Sequence, residues 1–297
     1  MTARHLRAGD LNFEGTTMAS ILRRIWRRVE KRVRLTTYAA KSDCFLISYP
    51  KSGRTWFRYV LSHYLGAVSG VPEGIDLHNM FSIVPNFDLD PVRGMPGYRF
   101  RETKKTIPTI LVSHLDYRAS LFLRRPVIMM VRDPRDVIVS AYFHATRHKH
   151  RFAGSITEFI KDQDQGMPAM IDYLNRWAAG LSSRPHFVLS YEGLSADTEA
   201  RTEAVLGFLG CPIDRTALRS AVAAGRFEAM QDRERVEGIP AHDYDRSDVE
   251  SLRMRRGKAG GFRDYLDEAQ VAEVERLCAV DLTAAAKRLV GHTGLNV

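Results

Sequence analysis

Residues 45–56, Phe-Leu-Ile-Ser-Tyr-Pro-Lys-Ser-Gly-Arg-Thr-Trp, constrain the fold more than any other stretch of this 297-residue chain. The apolar start predicts a buried β-strand, Pro50 and Gly53 predict a tight turn, and the amphipathic pattern after Gly53 predicts a helix. A helix N-terminus presents unpaired N–H groups and the positive end of a dipole, so it binds anions. The stretch therefore predicts a strand, an anion-binding loop and a helix.

Three later segments are also short, apolar and followed by polar residues: 109–112, 127–131 and 186–190. Helical patterns separate the four predicted strands, an order typical of a parallel sheet with helices on its faces. Ligands bind such sheets at the carboxyl ends of the strands. The sequence thus predicts one α/β domain, over residues 36–297, with a central parallel β-sheet flanked by helices.

The helix after the first loop is predicted to close at Gly66, and Asp133 and Pro134 predict the N-cap and first residue of another helix. That helix is predicted to run through Ser140 towards His148. Residues 231–263 are charged and poorly periodic, which predicts a flexible flap. Further helices are predicted over residues 155–180, 197–211, 212–230 and 267–290.

The cysteine pattern and the hydropathy indicate the cellular compartment of the protein. Cys44, Cys211 and Cys278 are odd in number and far apart, which argues against a disulfide framework and against a zinc cluster. No apolar run approaches the roughly 20 residues of a spanning helix, and no secretory signal is recognisable. We therefore expect a cytoplasmic protein without a metal.

The positive charge is concentrated near the N-terminus. Subtracting 35 acidic from 44 basic residues gives a net charge of +9, and residues 18–35 combine an apolar stripe with seven basic residues and one acid. This pattern predicts a basic amphipathic helix, which either attaches peripherally to an anionic inner membrane surface or packs on the domain with its basic face in solvent. Residues 1–17 are predicted to be a mobile tail. Because the remaining chain is only weakly basic, no nucleic acid partner is expected.

Residues 49–56, Tyr-Pro-Lys-Ser-Gly-Arg-Thr-Trp, resemble the 5′-phosphosulfate loop of sulfotransferases that use 3′-phosphoadenosine 5′-phosphosulfate (PAPS). The family loop is Tyr-Pro-Lys-Ser-Gly-Thr-Thr-Trp, so Arg54 is the departure. The resemblance extends in order over about residues 43–265. It implies that Lys51 contacts the sulfuryl group and the bridging oxygen, that Trp56 lies near the adenine, and that the 5′-phosphate is held by Ser52, Gly53, Arg54 and Thr55.

Two further motifs resemble the 3′-phosphate site of the same family. Arg132 and Ser140 match an arginine at a strand end and a serine eight residues later, although Arg132 could instead pair with a neighbouring aspartate. Arg255, Arg256 and Gly257 match the family segment Arg-Lys-Gly-x-x-Gly-Asp-Trp-Lys, whose Asp and Trp are here Gly and Phe. Tyr191 and Phe227 match adenine-side positions, with a place in the core as the alternative for each.

His114, in Val-Ser-His-Leu, resembles the histidine of the family sequence Lys-Thr-His-Leu, which removes the proton of the acceptor hydroxyl. The family lysine is Val112 here, which makes the acceptor side less like the phenol- and steroid-type enzymes. His144, His148 and His150 form a basic cluster with their neighbours. We interpret this cluster as a solvated helix end, with contact to an anionic acceptor as the alternative.

The resemblance predicts an enzyme that moves sulfuryl from PAPS to an acceptor hydroxyl and releases adenosine 3′,5′-bisphosphate (PAP), with Lys51 and His114 as catalytic residues. The acceptor is predicted to be a glycan, a glycolipid or a natural product. One alternative is a P-loop kinase, with Asp133 as its metal-binding carboxylate, although the loop lacks the Walker A spacing. The other alternative is a non-enzymatic, basic membrane-binding protein on a degenerate nucleotide fold.

Overall fold

The computed structural model describes residues 18–71, 73–100, 107–240 and 244–297, so the predicted tail lies outside the described residues. A four-stranded, wholly parallel sheet forms the centre, in the order β2-β1-β3-β4. Its strands are β1 (Cys44–Ser48), β2 (Ile110–Ser113), β3 (Val127–Val131) and β4 (His186–Ser190). The predicted α/β domain with a central parallel sheet is therefore confirmed.

The sheet is buried on both faces, which explains why its strands read as continuous apolar runs. Every residue of β1, β2 and β3 is buried. Alternate side chains of β1 enter two different hydrophobic clusters, with Phe45 and Ile47 on one face and Cys44 and Leu46 on the other. The edge strand β4 is less covered, and His186 at its start is exposed.

Helices cover both faces of the sheet. In the described part of the chain they are α1 (Met18–Lys41), α2 (Arg54–Val68), α3 (Met80–Ile83), α4 (Ala119–Phe122), α5 (Pro134–Phe143), α6 (Ile156–Lys161), α7 (Met167–Leu181), α8 (Tyr191–Ala196), α9 (Thr198–Phe208), α10 (Arg215–Ala224), α11 (Phe227–Glu237), α12 (Glu268–Asp281) and α13 (Ala284–Gly291). A π-helical turn, His144–His148, continues α5. Short 3₁₀ turns occupy Met95–Gly97, Val249–Ser251 and Gly261–Asp264.

Several predicted helix boundaries are wrong, and the helices predicted over residues 212–230 and 267–290 are each broken in two, after Ala224 and after Asp281. Gly66 lies inside α2, where a Cβ would come within 3.1 Å of Ile75, so close packing explains this glycine better than a helix end does. The helix predicted over 155–180 is broken between α6 and α7, where Asp162 accepts a hydrogen bond from the backbone of Gln165. Helix α11 also extends into the predicted flap, because its buried Glu234 accepts hydrogen bonds from the backbone that follows.

Helix α1 extends six residues beyond its predicted end, and only its C-terminal part packs on the domain. Leu35 and Ala39 are buried, and Arg32 donates a hydrogen bond to Ser120. Trp26, in contrast, is 70% exposed, and exposed apolar side chains also occur at Ile21, Leu22, Ile25, Val29 and Val33. No helix in the described ranges is long and apolar enough to cross a membrane.

Candidate active site

A cavity of about 580 Å³ opens where β1, β2 and β3 end, and it contains nearly all of the predicted site residues. Because parallel strands end at one edge of the sheet, the loops after them meet there. The predicted residues in its lining are Lys51, Gly53, Arg54, Thr55, Trp56, His114, Arg132, Ser140, Tyr191, Phe227, Arg255, Arg256 and Gly257. Ser52 is the exception, since its buried hydroxyl donates to Tyr49 O (3.0 Å) and supports the loop instead.

The loop between β1 and α2 is shaped to receive an anion. Lys51 has φ +73° and Gly53 has φ +92°, and a left-handed lysine stores strain of the kind that is found at functional sites. A Cβ on Gly53 would lie 2.4 Å from the ring of Tyr191, so a side chain has no room there. No side chain caps the start of α2 among the described residues. The N–H groups of its first turn therefore face the cavity as donors.

Lys51 is held in an environment that disfavours its own charge. Burial lowers its pKa to about 7, and the positive charge of Arg253 contributes in the same direction. Arg255 and Arg132 add to this effect, while Glu234 opposes it. An ammonium under this much repulsion gains from an anionic ligand more than a solvated lysine does.

His114 follows β2 and is held in one neutral form. Its Nδ1 lies 2.7 Å from the carbonyl oxygen of Ser48, so Nδ1 carries the proton and donates it. The hydroxyl of Tyr173 donates to the same carbonyl at 2.8 Å. Burial lowers the pKa of His114 well below its usual value, and the guanidinium of Arg54 lowers it further. The ring is thus neutral, with Nε2 as its available acceptor.

Arg132 makes the aspartate pairing that the sequence left open, and it also lines the cavity. It pairs with Asp136 (3.5 Å), and it also lies 4.1 Å over the ring of Tyr191 and donates to Lys258 O (3.1 Å). Its buried Nε has no hydrogen-bond partner among the described residues. Since a buried donor without a partner is costly, this atom fits a bound anion.

The segment that carries Arg255, Arg256 and Gly257 closes the same side of the cavity. Both arginines pair with Glu250, at 2.8 and 3.1 Å, and Arg255 Nε is buried without a partner among the described residues. Although the family Asp and Trp are missing here, Asp136 fixes the turn that follows by accepting backbone hydrogen bonds from residues 260 and 262. The segment therefore keeps a defined position.

Three aromatic side chains line the cavity: Trp56, Tyr191 and Phe227. Trp56 and Tyr191 meet edge to face at 5.4 Å, and Trp56 Nε1 donates to Gly225 O at 2.7 Å. Phe227 lies directly against Gly257, where a Cβ would come within 2.1 Å of its ring. Tyr191 also belongs to the hydrophobic core, as the alternative from the sequence predicted, and it lines the cavity as well. Flat apolar walls of this kind suit a purine.

The structure corrects the prediction for the histidine cluster. His148 is buried and hydrogen-bonds to Ser251 O (3.0 Å), and His144 stacks on it and lines the cavity. Burial lowers the pKa of His144 to about 2 and that of His148 to about 4, so neither ring is basic at neutral pH. Of the three histidines only His150 is exposed, so the solvated helix end describes His150 alone.

Five cations that line the cavity in the described part of the chain were missed by sequence reasoning: Arg58, Arg93, Arg226, Arg253 and Lys258. Arg58 carried a usable signal, because it lies four residues after Arg54 and so shares its helix face. The segments of Arg93 and Arg253 show no period, and their approach to the cavity depends on the tertiary fold. Within the described residues no cluster of His, Cys, Asp or Glu could hold a metal ion.

The fold and the cavity together define an α/β protein whose site suits a ligand with separated anionic groups and a planar ring. A family model described as "Sulfotransferase domain" matches residues 41–289. The chain is 25% identical to sulfotransferase 2A1 of Macaca fascicularis over 268 residues, which cover 87% of this chain and 90% of that protein. It is 30% identical to human sulfotransferase 2B1 over 202 residues, or 64% of this chain and 52% of that protein.

Among solved structures, mouse sulfotransferase SULT7A1 complexed with PAP shares the fold, with a TM-score of 0.61 and 18% identity over 88% of this chain and 94% of that one. A retinol dehydratase in a complex with retinol and PAP aligns with a TM-score of 0.60 and 18% identity over 86% of this chain and 83% of that one. The chain belongs to the sulfotransferase family. It is a PAPS-dependent enzyme, and the kinase and non-enzymatic alternatives are set aside.

Proposed function

We propose that the protein transfers sulfuryl to an acceptor hydroxyl, with His114 as the base and Lys51 as the group that stabilises the leaving phosphate. The observation that carries this proposal is the neutral His114, whose Nδ1 is tied to Ser48 O at 2.7 Å while the ring lines the same cavity as Lys51. A base and a cation that line one cavity suit an in-line transfer.

PAPS supplies the sulfuryl group and a phosphate leaving group. His114 Nε2 takes the proton of the acceptor hydroxyl as the acceptor oxygen bonds to sulfur and the bond between sulfur and the bridging oxygen breaks. Negative charge builds on that bridging oxygen, where Lys51 and the N–H groups at the start of α2 stabilise it. Both groups are in place before the reaction begins, so little reorganisation is required.

The remaining cavity residues divide between the two ends of the donor. Gly53 and Thr55 hold the 5′-phosphate from the start of α2. The 3′-phosphate is bound by Arg132, Ser140, Arg255, Arg256 and Gly257, which include the two buried arginine Nε atoms without partners among the described residues. The adenine lies among Trp56, Tyr191 and Phe227.

Replacing Gly257 with alanine is expected to weaken PAP binding by about tenfold or more. The new Cβ meets the Phe227 ring at 2.1 Å and takes a left-handed φ of +61°, so ring and segment must both move. Gly210→Ala is the matched control, because Gly210 has φ +68° with nothing within 4 Å. Isothermal titration with PAP checks both variants, and equal affinities would place Gly257 outside the donor site.

The pH dependence of PAP affinity tests the state of Lys51. With a pKa of about 7, Lys51 is charged below pH 7 and neutral above it, so affinity should fall as pH rises through 7. Lys51→Arg keeps the charge and should move this fall to higher pH. Titration calorimetry at several pH values measures the effect, and identical profiles for both proteins would show that Lys51 is not the titrating group.

The proposed reaction is tested by incubating the protein with radiolabelled PAPS and a panel of glycans, glycolipids, steroids and phenolic natural products. We expect one labelled product class and an equal amount of PAP. Hydrolysis of PAPS at the same rate with and without every acceptor would contradict transfer.

We further propose that α1 contacts an anionic membrane surface. Its exposed Trp26, Val29 and Val33 lie beside a dense set of arginines, and this combination of apolar and positive groups complements anionic lipid headgroups. A cytoplasmic location stays a prediction of the cysteine pattern.

Vesicle flotation tests this contact. Wild type should float with phosphatidylglycerol vesicles, Trp26→Glu should remain in solution, and Val92→Glu should behave as wild type because Val92 is exposed outside α1. Sedimentation that shows a dimer dissolved by Trp26→Glu, without vesicle binding by wild type, would assign the apolar face of α1 to a second copy instead.

A further inference from the structure

The half of the cavity beside His114 is rich in positive charge that the proposed transfer does not use. Three cations of the cavity lining lie close enough to His114 to lower its pKa: Arg54, Arg58 and Arg253. Arg93 also lines the cavity and lowers the pKa of both Arg58 and Lys149, so we call the side of these five cations the acceptor half. Among the described residues the cavity lining holds two carboxylates, Asp136 and Glu228. Asp136 pairs with Arg132, and Glu228 follows Phe227 at the start of α11.

Sheet topology separates Arg58 from the donor site. Its guanidinium donates to Asn86 Oδ1 at 2.6 Å, and Asn86 forms a bridge with Val112 of β2. Strand β2 lies on the opposite side of β1 from β3, which leads to Arg132 and the 3′-phosphate residues. Arg58 is therefore tied to the β2 side of the cavity, and His114 follows β2 on that same side.

The burial of Arg58 calls for a further anion. The residue is only 3% exposed, its guanidinium stacks 4.6 Å over the ring of Phe81, and its Nε has no hydrogen-bond partner among the described residues. Burial lowers the pKa of this guanidinium, and the charge of Arg54 one helical turn earlier lowers it further. A buried charge is stable only when it is paired and fully hydrogen-bonded.

The surrounding carboxylates offset this charge only in part. Asp90 pairs with Arg93 at 2.9 Å. The negative charge of Asp88 raises the pKa of Arg58 and of Arg54, which opposes the effect of burial. A neutral steroid in this half would remove water from the arginines without supplying a countercharge. A phosphate, sulfate or carboxylate matches the fork geometry of guanidinium groups.

We propose that the acceptor carries an anionic group that binds at Arg58 and Arg93, while its hydroxyl lies at His114. This inference rests on the proposed function, because it concerns the acceptor side of the same site. It narrows the substrate class to hydroxyl compounds with a phosphate, sulfate or carboxylate, and it gives Arg54 a place on the acceptor side.

The direct test is a calorimetric titration of inorganic pyrophosphate into protein that is already saturated with PAP. Wild type should bind pyrophosphate once, and Arg58→Gln and Arg93→Gln should each weaken it by about tenfold or more. Arg219→Gln, an exposed arginine of α10, should bind as wild type. PAP affinity and melting temperature show whether each variant is folded. If Arg58→Gln does not fold, Arg93→Gln alone provides the test.

The outcomes separate the two proposals. Failure of wild type to bind PAP defeats the proposed function, whereas PAP binding without pyrophosphate binding overturns only the anionic acceptor. Pyrophosphate binding that is unchanged in Arg93→Gln also overturns the anionic acceptor, because pyrophosphate then occupies the sulfuryl position near Lys51.

A transfer assay distinguishes the possible sources of the anion. Glycerol 3-phosphate represents a free phosphate ester, phosphatidylglycerol vesicles represent a lipid headgroup, and dehydroepiandrosterone represents a neutral steroid. Sulfation of either phosphate compound, with a KM raised by Arg93→Gln, supports the proposal. Sulfation of the steroid with a KM that Arg93→Gln does not change contradicts it, and the pyrophosphate titration decides when none of the three is a substrate.

Discussion

His114→Ala is expected to lower turnover by about 10²–10⁴-fold while PAP still binds with wild-type affinity. Nδ1 of His114 donates its proton to Ser48 O at 2.7 Å, so the other ring nitrogen, Nε2, is the one that can accept the proton of the acceptor hydroxyl. Among the described residues the His114 ring hydrogen-bonds to Ser48, which is not assigned to either phosphate. The loss should therefore appear in kcat and not in donor binding.

A matched control is available in His186→Ala, since His186 is exposed at the start of the edge strand and lies outside the cavity. Steady-state transfer from radiolabelled PAPS and calorimetry with PAP give the two readouts. Wild-type turnover in His114→Ala would remove this residue from the chemistry. An equal loss of turnover and of PAP affinity would instead indicate a structural role.

Lys51→Met is expected to lower turnover by about 10²–10³-fold without lowering the melting temperature. The substitution keeps an unbranched stem and removes the ammonium that stabilises the leaving oxygen. Because burial and Arg253 already lower the pKa of Lys51 to about 7, the charge is unfavourable in the free protein. Its removal should therefore leave stability unchanged or raise it.

Lys51→Met tests whether the lysine contributes to activity without contributing to stability. Thermal unfolding without ligand should show an unchanged or higher melting temperature, and the transfer assay should show the loss. Lys161→Met, at the end of α6, controls for the loss of a surface lysine. A large fall in melting temperature would mean that Lys51 serves the fold, and unchanged turnover would remove it from catalysis.

The sheet was predictable because its signals are local. β3 and β4 coincide with the predicted segments, since each is an apolar run followed by polar residues. The end of α11 was not predictable, because Glu234 is stabilised by backbone N–H groups of Arg253 and Met254, about twenty residues further along the chain. A charged sequence reads as a loop until that tertiary contact is known.

The motif residues of the site were predicted from sequence, whereas several cations that line the same cavity were not. Motif residues occur in contiguous loops after strands, so Lys51, Arg132 and His114 could be placed from sequence order. Arg93 and Arg253 come from irregular segments that reach the cavity only through the fold. His144 and His148 were predicted to belong to a basic cluster. Their burial could not be predicted, because it depends on packing against the distant segment around Ser251.

The central claim is that this cavity binds the PAPS donor through the two arginine motifs and the loop at Lys51. Titration of PAP into the protein in the presence of a metal chelator tests it most directly. We expect one PAP bound per chain, with affinity reduced by about tenfold or more in Arg132→Ala. An absence of PAP binding, or affinity that Arg132→Ala leaves unchanged, would contradict the account.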